Sequence, residues 1–387
     1  MDVLLEIALR AGFVALLRCG ATCRSLRRAI HGPDIARRVR EGMVLPPSRL
    51  LGLLDTTGTS SFSLVHPSTT TAASLVDDQL APFVSRASAN LLTEYSPVMS
   101  HGGLILLERK ASVVHGRRRR SSSSERQPPD ICVYDPMTGG RTFLPFPPDI
   151  TRATYVLLTA ADGMIGGSFL LLAFDTWRLE DLLPLRVQTV SSDADGKWAP
   201  MEYSYHPDLP KGSFLGSGNL PVVVDGVVHW LISSTDHILT YDVGTSAVGS
   251  IGLPKDGLLL PVDWRASESC LGSTPDGRLT LVYRHGFRVS ILVLSAGGGW
   301  ERHMEVDTTA MVRSLMVPQE RYIWLELVGS GDQRTGAVLI RLNALVGPDH
   351  LLMLDVETKE IRLLGDRCDI IPYEVDLMSR LSTAKIF

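Results

Sequence analysis

Residues 222–230 read Val-Val-Val-Asp-Gly-Val-Val-His-Trp, and residues 238–242 follow with Ile-Leu-Thr-Tyr-Asp. Two β-branched runs meeting at Asp225-Gly226 predict a hairpin, because Asp-Gly tolerates the positive φ that a two-residue turn between twisted strands demands. The third run continues into Tyr241-Asp242-Val243-Gly244-Thr245 and reaches Leu253-Pro254. That phrase recurs. Tyr134-Asp135-Pro136-Met137-Thr138-Gly139 ends in Leu144-Pro145, and Leu354-Asp355-Val356-Glu357-Thr358 is followed by Ile361-Arg362-Leu363-Leu364. Each copy is an apolar strand, an Asp-x-x-Thr turn whose side chains can bond the backbone of the bend, and a second strand.

Between these copies lies a second unit, a strand leading to Gly196-Lys197-Trp198 and another leading to Gly299-Trp300. The markers Asp135, Trp198, Asp242, Trp300 and Asp355 are separated by 63, 44, 58 and 55 residues. Such a period suits antiparallel sheets repeated around an axis, and residues 51–387 then hold about six blades. Short apolar runs support this reading: Leu104–Leu107, Ile131–Tyr134, Tyr155–Leu158, Phe169–Phe174, Leu279–Tyr283, Val289–Leu294 and Leu351–Leu354. Asp162-Gly163, Asp276-Gly277 and Gly297-Gly298-Gly299 punctuate them. The predicted fold is mainly β, a propeller-like array of antiparallel sheets preceded by a small α module. Trp177, Trp198, Trp264, Trp300 and Trp324 are expected at blade interfaces, and His229 in a core or ladder position.

Residues 1–40 differ in kind. Asp2 can cap a first helical turn, Leu4, Leu5, Ile7 and Ala8 form a stripe at helical spacing, and His31-Gly32-Pro33 ends the segment. From Val3 to Cys23, 15 of 21 residues are apolar, more than one face of a short surface helix can hide. Such helices must pack on the rest of the chain or on another protein. At about 1.5–3 kcal/mol per covered side chain, ten of them represent ~15–30 kcal/mol before entropy is subtracted. Pro46-Pro47 mark a linker over residues 41–50.

Within residues 1–40 lie Asp2-Val3-Leu4-Leu5-Glu6-Ile7, then Leu16-Leu17-Arg18, then Cys23-Arg24-Ser25-Leu26-Arg27 with Ile30. This register resembles the F-box of plant F-box proteins. The family's leading Leu-Pro is absent, Ala11-Gly12 stand where Leu-Pro usually closes the first helix, and Leu26 replaces the usual Trp. The β-repeats resemble the F-box-associated propeller-like region of the same proteins, with Leu51-Gly52-Leu53-Leu54 at its opening strand. The resemblance implies a three-helix module that docks the adaptor of an SCF-type (cullin–RING) ubiquitin ligase through Leu4, Leu5, Ile7, Leu16, Leu17, Cys23 and Leu26. It further implies a β-domain that holds a target protein, so the chain would be the ligase's substrate-recognition subunit. An interaction module that no longer joins a ligase is the alternative, since the absent Leu-Pro and Trp remove contacts expected at the dock.

Composition narrows the partners. Lys+Arg of 38 against Asp+Glu of 42 gives a net charge of −4, which does not describe a generic nucleic-acid binder. Residues 1–50 hold nine Arg and four acids, so the rest of the chain carries −9. Five cysteines (Cys19, Cys23, Cys132, Cys270, Cys368) without a CxxC pair fit a reducing compartment, hence a cytoplasmic or nuclear protein. Cys19 and Cys23 read as small core residues of the helical module. Glu6, Arg10 and Arg18 interrupt the apolar run, which excludes a membrane span there. Residues 115–129, with Arg117–Arg120 and Ser121–Ser124, read as a disordered basic and serine-rich loop, with nuclear import as an alternative role. No phosphate loop, dinucleotide fingerprint, HExxH or GxSxG motif occurs, so no cofactor, metal or catalytic residue is assigned. A hydrolase or lyase built on pocket carboxylates is the remaining enzyme reading.

Overall fold

A computed structural model describes residues 48–55, 62–64, 91–110, 130–136, 139–159, 168–175, 184–205, 220–232, 236–254, 268–274, 276–315, 323–328, 337–344, 349–356, 358–365 and 370–376, together with Ser25 and Asp162. The expected helical module at 1–40, most of the linker and the basic loop at 115–129 lie outside the described residues, as do Trp177 and Trp264.

Five four-stranded antiparallel sheets follow one another along the chain, each a simple meander. Sheet 1 comprises β3 (Tyr95–His101), β4 (Leu104–Arg109), β5 (Ile131–Tyr134) and β6 (Arg141–Leu144). Sheet 2 comprises β7 (Ala153–Leu158), β8 (Leu170–Asp175), β9 (Leu185–Ser191) and β10 (Glu202–Ser204). Sheet 3 comprises β11 (Val222–Val224), β12 (Val227–Leu231), β13 (His237–Asp242) and β14 (Ala247–Gly252). Sheet 4 runs β15 (Ser269–Ser273), β16 (Leu279–His285), β17 (Arg288–Leu294), β18 (Trp300–Asp307); sheet 5 runs β19 (Ile323–Leu327), β20 (Ala337–Ala344), β21 (His350–Asp355), β22 (Ile361–Gly365). A further three-stranded sheet joins the two ends of the described chain, with β1 (Ser48–Asp55) between β2 (Phe62–Leu64) and β23 (Ile370–Asp376). This is a β-propeller with five complete blades. About six blades are expected from the sequence; the described residues form five four-stranded ones and the three-stranded sheet, and β1 extends three residues into the segment expected as linker.

Each sequence marker falls in, or at the strand end that borders, the connection between the third and fourth strands of one blade. Asp135, Asp242 and Asp355 belong to sheets 1, 3 and 5, whereas Trp198 and Trp300 belong to sheets 2 and 4. The Asp-x-x-Thr turns share one geometry. Thr245 N–H donates to Asp242 Oδ1 at 2.8 Å, and Thr358 N–H to Asp355 Oδ1 at 2.9 Å. The residue that closes each turn has positive φ: Gly139 at 76°, Ser246 at 56° and Lys359 at 60°. The Trp units act across blades. Trp198 Nε1–H donates to Pro145 O at 2.9 Å, and Trp300 Nε1–H to Gly252 O at 2.9 Å, each reaching the end of the preceding blade's outer strand. Trp198 thus lands on the Leu144-Pro145 that ends one Asp copy, and Trp300 on the residue just before the Leu253-Pro254 that ends the next.

The core lies between blades, not within them. Leu106, Ile131 and Leu144 of sheet 1 meet Leu157, Leu171 and Val190 of sheet 2. Phe174 of sheet 2 meets Trp230 and Tyr241 of sheet 3 edge-on, with ring centroids 4.5 and 5.3 Å away, contacts worth about 0.5–1.5 kcal/mol each beyond their buried area. Two more clusters join sheets 3 to 4 and 4 to 5, and a smaller one joins sheet 5 to β23. Both faces of a blade are thus covered. This explains why inner strands such as β5 and β8 read as unbroken apolar runs, not alternating ones.

Candidate functional site

In an antiparallel meander the connections between first and second strands all lie at one end of the sheets. Here they approach one another around the propeller axis. The first is His101-Gly102-Gly103, where both glycines have positive φ, 54° and 80°. A Cβ on Gly102 would stand 2.5 Å from Thr159 Oγ1, at the corresponding connection of sheet 2. Only glycine fits that approach. The third is Asp225-Gly226, with φ of 49° and 75°, where a Cβ on Gly226 would lie 3.8 Å from Asp162 O. A Cβ on Gly277 in the fourth would lie 3.9 Å from Asp225 Oδ1. On the other side of sheet 1, Tyr373 Oη–H of β23 donates to Gly103 O at 3.1 Å. The inner turns thus follow one another closely from β23 through sheet 4, with direct bonds at Tyr373–Gly103 and His101–Asp162.

One buried carboxylate holds the first junction. Asp162 Oδ2 accepts from Thr159 N–H at 2.8 Å and Thr159 Oγ1–H at 3.2 Å, and lies 2.8 Å from His101 Nε2. Its side chain is 3% exposed and that of His101 13%. The carboxylate therefore fixes a loop of sheet 2 and clasps sheet 1. Around it the tips are acidic: Asp225 and Asp276 are exposed, and Arg278 is tied to Asp276 at 2.8 Å. Hydrogen bonds from Thr274 and Arg278 hold the Asp276 carboxyl below its ordinary range. The result is a rigid polar rim that presents acceptors, with its inner carboxylate already committed to three partners.

Other ionisable groups serve packing. Burial lowers the His229 imidazole below its usual range, against the opposing pull of its hydrogen bonds to the backbone of Val222 and Val227. It lies 3.3 Å from Val222 O, the ladder position expected for it. Cys132 is free and buried, and burial pushes its thiol up to about 12; Cys270 is also free and buried. Trp198 and Trp300 occupy blade interfaces as expected. Among the described residues no three His, Cys, Asp or Glu side chains are placed to share a metal ion, and no helix is long and apolar enough to cross a membrane.

The residues expected to bind an adaptor, Leu4, Leu5, Ile7, Leu16, Leu17, Cys23 and Leu26, lie outside the described residues. The His101–Asp162 clasp escaped the sequence reading. Its only trace there is Gly102-Gly103 ahead of an apolar run, beside an Asp-Gly at 162–163, and neither motif reveals that the two turns meet.

The chain belongs to the family described as a domain of unknown function, DUF7595, which matches residues 59–387. No curated protein matches it. Among solved structures it is similar to the periplasmic gluconolactonase of Pseudomonas aeruginosa, at 12% identity over 82% of each chain with a TM-score of 0.35. It is also similar to a quinonprotein alcohol dehydrogenase-like protein of Bacteroides thetaiotaomicron, at 10% identity over 73% of this chain and 68% of that one, TM-score 0.35. A third is prolyl oligopeptidase B of Galerina marginata, at 11% identity over 70% of this chain and 33% of that one, TM-score 0.33. None of the three transfers an activity to this chain.

Proposed function

We propose that this chain is the substrate-recognition subunit of an SCF-type ubiquitin ligase. The observation that carries the proposal is the F-box-like register of residues 2–30, placed directly ahead of a propeller. Leu4, Leu5, Ile7, Leu16, Leu17, Cys23 and Leu26 would be covered by the adaptor, and the blades would hold the target. In that role the chain does no chemistry. It raises the effective concentration of target lysines near the ubiquitin-charged enzyme. A propeller suits the task because its interlocked blades form a stiff body while the loops at its two ends can vary in sequence without disturbing the core. The three-stranded sheet is read as a sixth blade that closes the ring, with the Tyr373–Gly103 bond as its seam to sheet 1.

The missing Leu-Pro and the Leu26 in place of Trp favour a second reading, in which the propeller still binds a protein but the dock is lost. Co-purification with the adaptor separates the two. Wild type should be recovered with it, and Leu4→Asp combined with Leu16→Asp should not; failure of the wild type to bind defeats the ligase reading.

A further inference from the structure

Among the described residues the outer strand of each blade has one edge without a neighbouring strand, and proteins ordinarily blunt such edges with charge, shortness or bulges. Four of the five do so. β6 is four residues long and carries Arg141, and β10 is three residues long and carries Glu202. β18 carries Glu301, Arg302, Glu305 and Asp307 and pairs through a bulge; β22 carries Arg362 and also pairs through one. β14 has none of these. Its sequence is Ala-Val-Gly-Ser-Ile-Gly, and it pairs with β13 at six consecutive positions without a register shift.

Register fixes which of its backbone groups are free. Leu253 N–H donates inward to Asp236 O at 2.8 Å, so by alternation Ile251, Gly249 and Ala247 also bond β13. Val248, Ser250 and Gly252 must then direct their N–H and C=O outward. Trp300 confirms the parity, since its indole reaches Gly252 O from outside. Among the described residues nothing bonds the outward groups of Val248 and Ser250, which leaves two donors and two acceptors in line on a flat edge.

Charge indicates what fits. From Leu220 to Pro254 the sequence holds three Asp and no Lys or Arg, and the Lys255-Asp256 that follow add no net charge. At one end of β14, Asp242 opens the hairpin and Glu202 of β10 lies 2.7 Å from Ser246 Oγ; at the other end, Asp236 is paired with Leu253. The edge is therefore uncharged in the middle and acidic at both ends. A second copy held by six residues of strand alone would bury well under the ~1,000 Å² that a stable interface needs. We propose that β14 is a strand-addition site for an extended segment of a partner protein, uncharged over about five residues and flanked by Lys or Arg. Main-chain bonds to Val248 and Ser250 set its register, and the acidic ends select its flanks. This site does not depend on whether residues 1–40 dock an adaptor.

The test uses the full chain and two pools of nine-residue peptides. Both pools carry Val, Thr, Ile or Ser at the five central positions; one has two lysines at each end and the other two glutamates. Fluorescence polarisation should show the lysine-ended pool binding at least tenfold more tightly, with the Val248 and Ser250 amides exchanging at least tenfold more slowly when it is bound. Ser250→Pro removes an outward N–H and no ladder bond, and Ser250→Lys leaves the backbone intact while adding an edge charge. Each should weaken binding at least tenfold. Losses below tenfold in both variants, or equal binding of the two pools, would overturn the proposal. So would a peptide-free dimer that sediments as such and is dissolved by Ser250→Pro, since the occupant would then be a second copy.

Discussion

Replacing Asp162 by Ala is the sharpest test of the ring of inner turns. Its Oδ2 accepts two hydrogen bonds from Thr159 and meets His101 Nε2 at 2.8 Å, with the carboxylate 3% exposed. Alanine leaves the buried Thr159 N–H without an acceptor, at a cost of about 1–3 kcal/mol, and removes a charged acceptor whose bonds contribute about 1.5–3 kcal/mol. The contact with His101 Nε2 is lost with it, so the expected loss is ~3–5 kcal/mol. An unfolding entropy of about 2.1 cal/mol/K per residue over the ~340 residues of the β-region is ~0.7 kcal/mol/K, which converts that loss to a fall of roughly 4–7 °C in Tm. Calorimetry reads the Tm, and amide exchange reads Thr159, whose protection should drop more than that of strands in sheet 4. Asp162→Asn, which keeps an acceptor but loses the charge, should lie between wild type and alanine. A fall in Tm below about 1 °C with unchanged Thr159 exchange would refute the claim that this carboxylate clasps sheets 1 and 2.

Trp198→Phe and Trp300→Phe each remove one indole donor while keeping an aromatic at the interface. Each should cost about 1 kcal/mol, and faster exchange should be confined to sheets 1–2 for the first and sheets 3–4 for the second. Lys359→Gly relieves a left-handed φ of 60° at an exposed turn and should stabilise by about 1 kcal/mol in urea titration. Ser246→Gly should gain less, or lose, because the same relief at 56° sacrifices the 2.7 Å bond from Ser246 Oγ–H to Glu202. His229 has its folded pKa below the ordinary value of 6.5, so the unfolded chain binds the extra proton first. Its contribution is whole above about 6.5 and is lost as pH falls through the depressed value, with a slope of at most ~1.4 kcal/mol per pH unit. His229→Gln should flatten that limb of the stability–pH curve; an unchanged slope would show that this imidazole is not the titrating group.

The blade repeat was legible because each copy solves the same local problem. The turns of sheets 1, 3 and 5 need an Asp to cap the bend, and those of sheets 2 and 4 need a Trp to reach the preceding blade, so Asp135, Asp242, Asp355, Trp198 and Trp300 mark the period. Inner strands were legible because both faces are buried, and Ile131–Tyr134 and Leu170–Asp175 therefore keep apolar residues at nearly every position. Outer strands were legible only where an Asp-x-x-Thr turn leads into them, as in Ala247–Gly252; Glu202–Ser204 follows no such turn and has one edge unpaired among the described residues and little buried surface, so nothing in its composition had to announce a strand.

The sequence by itself determined the β-architecture, the two alternating kinds of blade and the positions of their turns, because these depend on burial and backbone geometry within some fifty residues. Tertiary structure alone decided which turns meet. The clasp of Asp162 on His101, the space that leaves only a glycine at 102 and the open edge of β14 depend on the placing of one blade against the next, and no short-range pattern encodes that distance.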